Sequence, residues 1–141
     1  MIRSTNTLVE NYTYVSKLDE AVDTDCDEFK HKWELYLDGK ADPPLRPGGK
    51  PTVWHLQHLS LRKRAKLNGM APTEFAVLAT AMALVKAEGW VDMAGKPIEV
   101  EHQYEDGVRV TSEKTLEVMG DALCGDIAMR VIRSFNPSPR D

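Results

Sequence analysis

The sequence is short of the features that most often reveal what a protein does. Its 141 residues include only two cysteines, Cys26 and Cys124, which are far apart and belong to no CxxC pair. This argues against a disulfide framework and the common zinc and thiol-redox motifs, and it leaves two buried or free thiols. No apolar run is long enough to span a bilayer, and the first residues lack the apolar core of a signal peptide. We therefore expect a cytoplasmic protein that does not contact a membrane.

The chain also lacks the usual signatures of catalysis. It has no GxSxG, no phosphate-binding glycine loop, no HExxH and no cysteine in a recognisable nucleophile context. There are 22 acidic residues and four histidines, but no spacing singles any of them out as a catalytic group. The net charge of -4 argues against nucleic acid as the main partner. We predict no catalytic residue, no metal site, no cofactor and no enzymatic activity.

What is present is the composition of one ordinary globular domain covering residues 1–141. Hydrophobic residues make up 42% of the chain and charged residues 28%, as in most folded proteins. The segment 38–51 holds four prolines and three glycines, so it cannot continue a helix. Loops of this length often contact a partner. We expect this arm, together with the N-terminal segment 1–22, to reach neighbouring molecules.

Apolar periodicity predicts four helices. The first covers 26–38, with Thr24 or Asp25 as its N-cap. Its apolar face consists of residues spaced by three or four: Phe29, Trp33, Tyr36 and Leu37. The second is the basic stretch "SLRKRAKLNG", which Ser60 caps and Gly69 closes.

The third predicted helix, 73–88, has Pro72 at its first turn and is apolar on most of its sides. A helix of this kind is buried in a core or in an interface. Phe75 and Met82, on one of its faces, are therefore candidates for partner contact.

The fourth predicted helix begins after a cap at Thr111 or Ser112 and ends before Pro137 and Pro139. One apolar stripe follows it over about five turns. The stripe consists of Leu116, Met119, Leu123, Ile127, Val131 and Phe135. We interpret the glycines inside this helix, Gly120 and Gly125, as sites of close helix packing.

Three segments have the character of strands. "NYTYVSKL", residues 11–18, alternates in a way that suits an edge strand, and "TVWHLQHL", residues 52–59, suits a short one. In 97–110, apolar and polar residues alternate on both sides of an Asp106-Gly107 turn, which predicts a β-hairpin. The predicted fold class is α+β, with about four helices packed beside a small antiparallel sheet that contains this hairpin.

One acidic stretch, "DTDCDEFKHKWE", has the carboxylate spacing of a calcium-binding loop. The carboxylates are Asp23, Asp25, Asp27 and Glu34. The sixth position, which normally requires glycine, is Glu28, and the eighth, normally aliphatic, is Lys30. We therefore favour a helix start, at which aspartates complement the positive end of the helix dipole, over a calcium module.

Histidines give no better case for a metal. His55 and His58 lie three apart, so on a strand their side chains point to opposite faces. His31 and His102 come from distant segments, and no third ligand is evident near the pair. We interpret all four as ordinary polar histidines.

The predicted second helix concentrates four cations: Arg62, Lys63, Arg64 and Lys66. They could bind the phosphates of a nucleic acid or an acidic protein. No glycine-rich or stacking-aromatic motif accompanies them, and a solvated helix face is the usual explanation for such a cluster.

In two stretches the sequence resembles small morphogenesis proteins of tailed bacteriophages, the tail assembly chaperones or minor virion proteins. "KPTVWHLQHLSLRKRAKL" is similar to their extended "PTxFxLRPLS" segment before a charged helix. "EGWVDMAGKPIEVEHQYEDGVRVTSEKTLEVMGDALCGDIAMRVIRSF" is similar to their tryptophan, turn, hairpin and last helix. The resemblance covers about residues 50–135. It departs at "LQHL", where that pattern has an arginine and a proline, and in the long arm.

The resemblance implies contact surfaces rather than an active site. It makes four apolar residues candidates for packing or partner contact: Trp54, Leu56, Leu59 and Trp90. It also implies other phage structural proteins as partners, a homo-oligomer or larger assembly, and a location in the host cytoplasm during assembly or in the virion.

Three classes of function follow from these observations. The first is a phage morphogenesis protein that works by protein–protein contacts, either as a tail assembly chaperone or as a component that stays in the capsid, connector or tail. The second is a small nucleic-acid-binding regulator that uses the basic residues of 61–66. The third, a calcium or metal module, would require the four carboxylates of the acidic stretch to converge.

Overall fold

The computed structural model describes residues 11–135. The elements are, in order, β1 Asn11–Tyr14, α1 Phe29–Leu37, β2 Val53–Gln57, α2 Leu61–Ala65, α3 Pro72–Ala83, β3 Leu84–Glu88, β4 His102–Glu105, β5 Val108–Thr111, α4 Glu113–Met119 and α5 Asp121–Arg133. The α+β class is confirmed, with five helices and two small antiparallel sheets in this range. No helix among 11–135 combines the length and apolar character that crossing a membrane requires.

The larger sheet has three antiparallel strands in the order β1-β2-β3. Tyr14 lies opposite Trp54 across the first pair, and Val53 lies opposite Glu88 across the second. β1 is an edge strand, as the sequence predicted. Along the central strand β2, Trp54 and Leu56 are buried and the residues between them only half-buried, because alternate side chains point to opposite faces.

The hairpin forms a separate two-stranded sheet from β4 and β5. Its turn is the predicted one, since Asp106 and Gly107 both have positive φ, at 50° and 79°. The first strand begins at His102, whereas the sequence suggested that Ile98 already belonged to it. Ile98 instead turns back on the chain before it, because its N–H donates to the Trp90 carbonyl at 2.8 Å.

The third helix is shorter than predicted. It begins at Pro72 as expected, but it ends at Ala83, and residues 84–88 form β3 rather than the last turns of a helix. No glycine or proline marks the change. The reason is tertiary. Leu84 and the residues after it form hydrogen-bonded pairs with β2, and this pairing favours a strand over the helix that the local pattern predicts.

The predicted last helix is two helices. Gly120 stands between α4 and α5 with φ 86° and ψ 160°, a conformation that favours glycine. A Cβ added at Gly120 or at Gly125 would meet no atom within 4 Å. Our interpretation of these two glycines as sites of close helix packing was therefore wrong. Ser112 caps α4 as predicted, since its hydroxyl accepts a hydrogen bond from the Thr115 N–H at 3.2 Å. Pro137 and Pro139 lie outside the described residues.

α1 begins later than predicted and without the predicted cap. Its N-cap position is Glu28, with φ 57° and no side-chain hydrogen bond to the helix, and its first turn contains no acidic residue. The Asp23 carboxylate instead accepts from the Asp25 N–H at 3.1 Å in a local turn. The predicted apolar face is confirmed, with Trp33 buried and the other three residues packed against the core.

The core lies where α3 and α5 pack together and against the sheets. Two buried hydroxyls tie this region to the backbone of neighbouring elements. Thr80 donates to the Cys124 carbonyl at 2.8 Å, and Thr111 donates to the Ala81 carbonyl at 3.3 Å. The stripe predicted for the last helix faces this core, with Met119, Ile127 and Val131 buried and its other members partly buried.

The start of the described chain is fastened to the end of it. The Asp126 carboxylate on α5 accepts hydrogen bonds from the Tyr14 hydroxyl at 2.8 Å and from the Ser16 hydroxyl at 2.6 Å. Burial, and secondarily this carboxylate, raise the pKa of Tyr14, so its hydroxyl remains a donor. These bonds hold β1 and the segment after it against α5.

The proline- and glycine-rich segment 38–51 lies along an earlier part of the same chain. The Arg46 N–H donates to the Ala21 carbonyl at 2.8 Å, and the Asp23 N–H donates to the Pro44 carbonyl at 2.9 Å. A Cβ at Gly49 would come within 3.1 Å of the Ala21 Cβ, so the two segments touch closely there. Contact of this arm with neighbouring molecules stays a prediction, and residues 1–10 of the predicted N-terminal segment lie outside the described residues.

The contrast between the two glycines of the C-terminal region gives a direct test of the helix break. Gly120→Ala should lower the free energy of unfolding by about 1–3 kcal/mol, because alanine is strained at φ 86°. Gly125→Ala, in open space within α5, should raise it by about 0.5–1 kcal/mol. Urea denaturation of both variants measures this. Equal stability gains in the two would mean that one continuous helix runs through position 120.

Candidate functional site

The apolar residues singled out in the sequence are part of the core. Four of the six are buried: Trp54, Leu56, Leu59 and Met82. Phe75 and Trp90 are partly buried against the same core, and the Trp54 and Trp90 rings lie 5.1 Å apart. The role visible for all six is packing, and the four buried ones offer no surface to a partner while the domain stays folded.

The predicted basic helix exists as α2, and its four cations differ in their surroundings. Ser60 caps it as predicted, accepting from the Lys63 N–H at 3.2 Å. Arg62 and Lys66 are exposed and Lys63 is half-exposed. Arg64 turns inward, with its guanidinium 5.0 Å from the centre of the Phe135 ring. The basic surface therefore consists of three residues, and Arg64 is a packing residue.

An open groove of about 450 Å³ lies between α3, α4 and the hairpin. Its apolar lining is Met70, Val77, Leu78, Ala81, Val110 and Leu116. Three exposed carboxylates from three different elements line it as well: Glu74, Glu105 and Glu113. We call this site the acidic groove.

The acidic groove follows from how α3 is built and held. Glu74, Val77, Leu78 and Ala81 are spaced by three or four residues, so they lie along one face of α3. The Thr111–Ala81 hydrogen bond fastens β5 to one side of that face. Because position 81 is an alanine, little side-chain volume fills the space between α3, β5 and α4.

The chemistry of the acidic groove suits an apolar segment that carries positive charge. Its lining includes no lysine, arginine or histidine, so the three carboxylates act without local compensation. Apolar burial would supply affinity, and the carboxylates would favour flanking cations and accelerate encounter. Only part of this site can be found from the sequence: the spacing of residues predicts the face of α3, whereas the approach of Glu105 and Glu113 depends on the tertiary fold.

Two smaller cavities have their main polar groups already bonded. In a cavity of about 220 Å³ beside Trp54, both oxygens of Asp19 accept backbone N–H groups, from Ala21 and Thr52, at 2.9 Å. In one of about 90 Å³, the His102 ring bonds the Leu84 carbonyl at 2.9 Å and Arg109 at 3.3 Å. The Asp19 carboxylate and the His102 ring therefore stabilise the fold through these hydrogen bonds.

The acidic stretch does not form a cation site. Asp23 and Asp25 each lie 3.6 Å from the Arg46 guanidinium, and Glu34 lies 3.3 Å from that of Arg133. No group of three His, Cys, Asp or Glu residues within the described range could hold a metal ion. Three of the four carboxylates in the calcium spacing therefore take part in ion pairs with arginines.

His55, in β2, and His58, just after it, also lie in separate surroundings. His55 pairs with Glu88 of β3, and the His58 ring lies 4.8 Å from the Tyr12 ring. The two imidazoles therefore take part in different contacts.

The two thiols lie in different surroundings. Cys124 is buried in α5, and burial together with the Asp121 charge raises its pKa to about 11. Cys26 is half-exposed, and both thiols are free. At neutral pH Cys124 is therefore a protonated packing residue.

The two thiols should differ in reactivity. In the native protein at pH 8, a thiol reagent such as DTNB should modify Cys26 within minutes and Cys124 only after urea is added.

Because the folded-state pKa of Cys124 is raised from 9.0 to about 11, the folded state binds more protons than the unfolded state between these pH values, and the free energy of unfolding should fall as pH rises through them. Cys124→Ala should reduce that loss in urea melts at pH 8 to 11. An equally steep loss in the variant would contradict the assignment.

Comparison of the chain with protein-family models, curated proteins and solved structures gave no match. The function is therefore inferred from the acidic groove, the basic helix and the resemblance seen in the sequence.

Proposed function

We propose that this protein is a non-enzymatic morphogenesis protein of a tailed bacteriophage that acts by protein–protein contacts, of the tail assembly chaperone type. The observation that carries the proposal is the acidic groove, an apolar depression with three carboxylates in its lining. It would hold an apolar segment of another phage structural protein, with lysine or arginine residues next to the buried side chains. The protein would work in the host cytoplasm during assembly.

The surroundings of the groove support a docking role. Helix-in-groove recognition depends on a rigid apolar channel, and here the floor belongs to α3, whose last five residues are buried in the core. The exposed carboxylates would attract a cationic partner and accelerate association at low ionic strength. Salt would slow association, because it screens these charges beyond a Debye length of about 10 Å at 0.1 M. A chaperone benefits from this arrangement, because a salt-sensitive contact can be released when assembly is complete.

The proposal has a version in which the protein stays in the particle as a part of the capsid, connector or tail. The same groove would then hold a permanent neighbour. The two versions differ in where the complex is found, so one experiment can separate them.

A photo-crosslinking amino acid at Val77, in the floor of the groove, tests the proposal. In infected cells it should crosslink to one phage structural protein through an apolar segment with adjacent lysine or arginine. The same amino acid at Met129, which is 66% exposed on α5, is the control. Mass spectrometry of the lysate and of purified particles should find the adduct in the lysate alone if the protein is a chaperone.

The outcome of that experiment is decisive in each direction. A Val77 adduct present in particles at a fixed copy number would replace the chaperone with the virion component. The same adducts at Val77 and at Met129, or none at either position, would contradict groove docking altogether.

A second candidate, a small nucleic-acid-binding regulator, is favoured by one observation. Arg62, Lys63 and Lys66 take part in no ion pair among residues 11–135. If they bind phosphates, Arg62→Ala/Lys66→Ala should lower the slope of log K against log salt by roughly 2. Fluorescence anisotropy with a short duplex measures this, and an unchanged slope would remove the candidate.

A further inference from the structure

The exposed face of α2 has a composition that the fold of a single chain does not explain. Leu61 is 76% exposed, and Ala65, one turn later, is exposed beside it. Arg62 and Lys66, also four apart, are exposed next to this apolar pair. Residues four apart lie on the same side of a helix, so the apolar pair forms one exposed stripe and the cationic pair forms the stripe beside it. We call it the α2 face.

The α2 face is held firmly in place. The Ser60 cap begins the helix, Leu67 after it is buried in the core, and Arg64 packs on Phe135 at the end of α5. The contacts of Arg64 and Leu67 fix α2 against the rest of the domain and leave Leu61 exposed. The face is thus presented to solvent by an anchored helix.

The α2 face and the acidic groove are complementary in both charge and polarity. One offers an exposed leucine with Arg62 and Lys66, and the other offers an apolar floor with Glu74, Glu105 and Glu113. No ion pair within residues 11–135 includes any of these five charged side chains. The contacts of Arg64 and Leu67 hold α2 against the core, so the groove is open to the α2 of another molecule.

We propose that the α2 face of one copy of this chain docks in the acidic groove of a second copy. Leu61 would enter the apolar floor, and Arg62 and Lys66 would pair with the carboxylates around it. The proposal rests on the docking role proposed above for the groove and names one segment that it binds. A phage partner would then compete with a second copy for the same site.

Docking of this kind predicts a particular mode of assembly. The two surfaces are different parts of the molecule, so each copy in a pair retains one free α2 face and one free groove. Such a head-to-tail contact continues into rings or open chains and does not stop at a symmetric dimer. Two cations facing three carboxylates also make the association sensitive to salt.

Two variants separate the surfaces. The helix variant, Leu61→Gln/Arg62→Gln/Lys66→Gln, removes the leucine and both charges but keeps good helix formers at exposed positions. The groove variant, Glu74→Lys/Glu113→Lys, reverses two exposed charges. A control, Lys30→Gln/Lys32→Gln/Met129→Gln, removes two cations and one exposed apolar residue elsewhere. Circular dichroism and urea melts confirm that each variant is folded.

Sedimentation velocity over a range of concentrations measures the assembly. Wild type and the control should form species larger than dimers at low salt, and 0.5 M salt should weaken their association. Each surface variant alone should associate more than about tenfold more weakly. An equimolar mixture of the two should form a heterodimer and nothing larger, because only the wild-type helix of one and the wild-type groove of the other remain.

Each alternative result overturns the proposal. A wild type that stays monomeric at low salt excludes self-docking, as does a helix or groove variant that assembles like wild type. A mixture that regains large assemblies, or forms none, would show that the two surfaces do not bind each other. A monomeric wild type that still crosslinks through Val77 to a phage protein would leave the proposed function standing without this inference.

Discussion

The direct passage from α3 into β3 is the constraint on which the rest of this structure depends. The chain changes from helix to strand between Ala83 and Leu84 with no loop, and every residue from Ala79 to Leu84 is buried. A helix and a strand joined in this way cannot turn independently of each other. Pairing of β3 with β2 therefore also fixes the direction of α3, and α3 provides the floor of the acidic groove.

The elements around this junction are attached to it by polar groups as well as by apolar packing. Thr80 donates to α5 and Thr111 donates to α3, so both neighbours of α3 are held at its buried end. Asp126 then binds the hydroxyls of Tyr14 and Ser16, which places the edge strand on α5. Removing such a carboxylate would leave buried hydroxyls without an acceptor, which is why these bonds specify the arrangement.

Charge is distributed unevenly over the resulting surface. Within a chain of net charge -4, a cationic α2 face and a separate acidic groove each combine charged with apolar residues. Surfaces of this kind select partners by charge and hold them by apolar burial. The proposed chaperone role and the proposed head-to-tail docking both use this one property, which net composition conceals.

The sequence by itself determined the features that depend on neighbours along the chain. These are the α+β class, the Asp106-Gly107 turn, the caps at Ser60 and Ser112, and the apolar faces of α1 and of the last helical region. Tertiary structure decided where α3 ends, because Leu84 pairs with β2 although the sequence pattern predicts that the helix continues. It also decided that Arg64 packs on Phe135, and that Glu74, Glu105 and Glu113 lie around one groove. Local patterns carry the preferences of a segment, whereas these outcomes depend on partners that only the folded chain brings within reach.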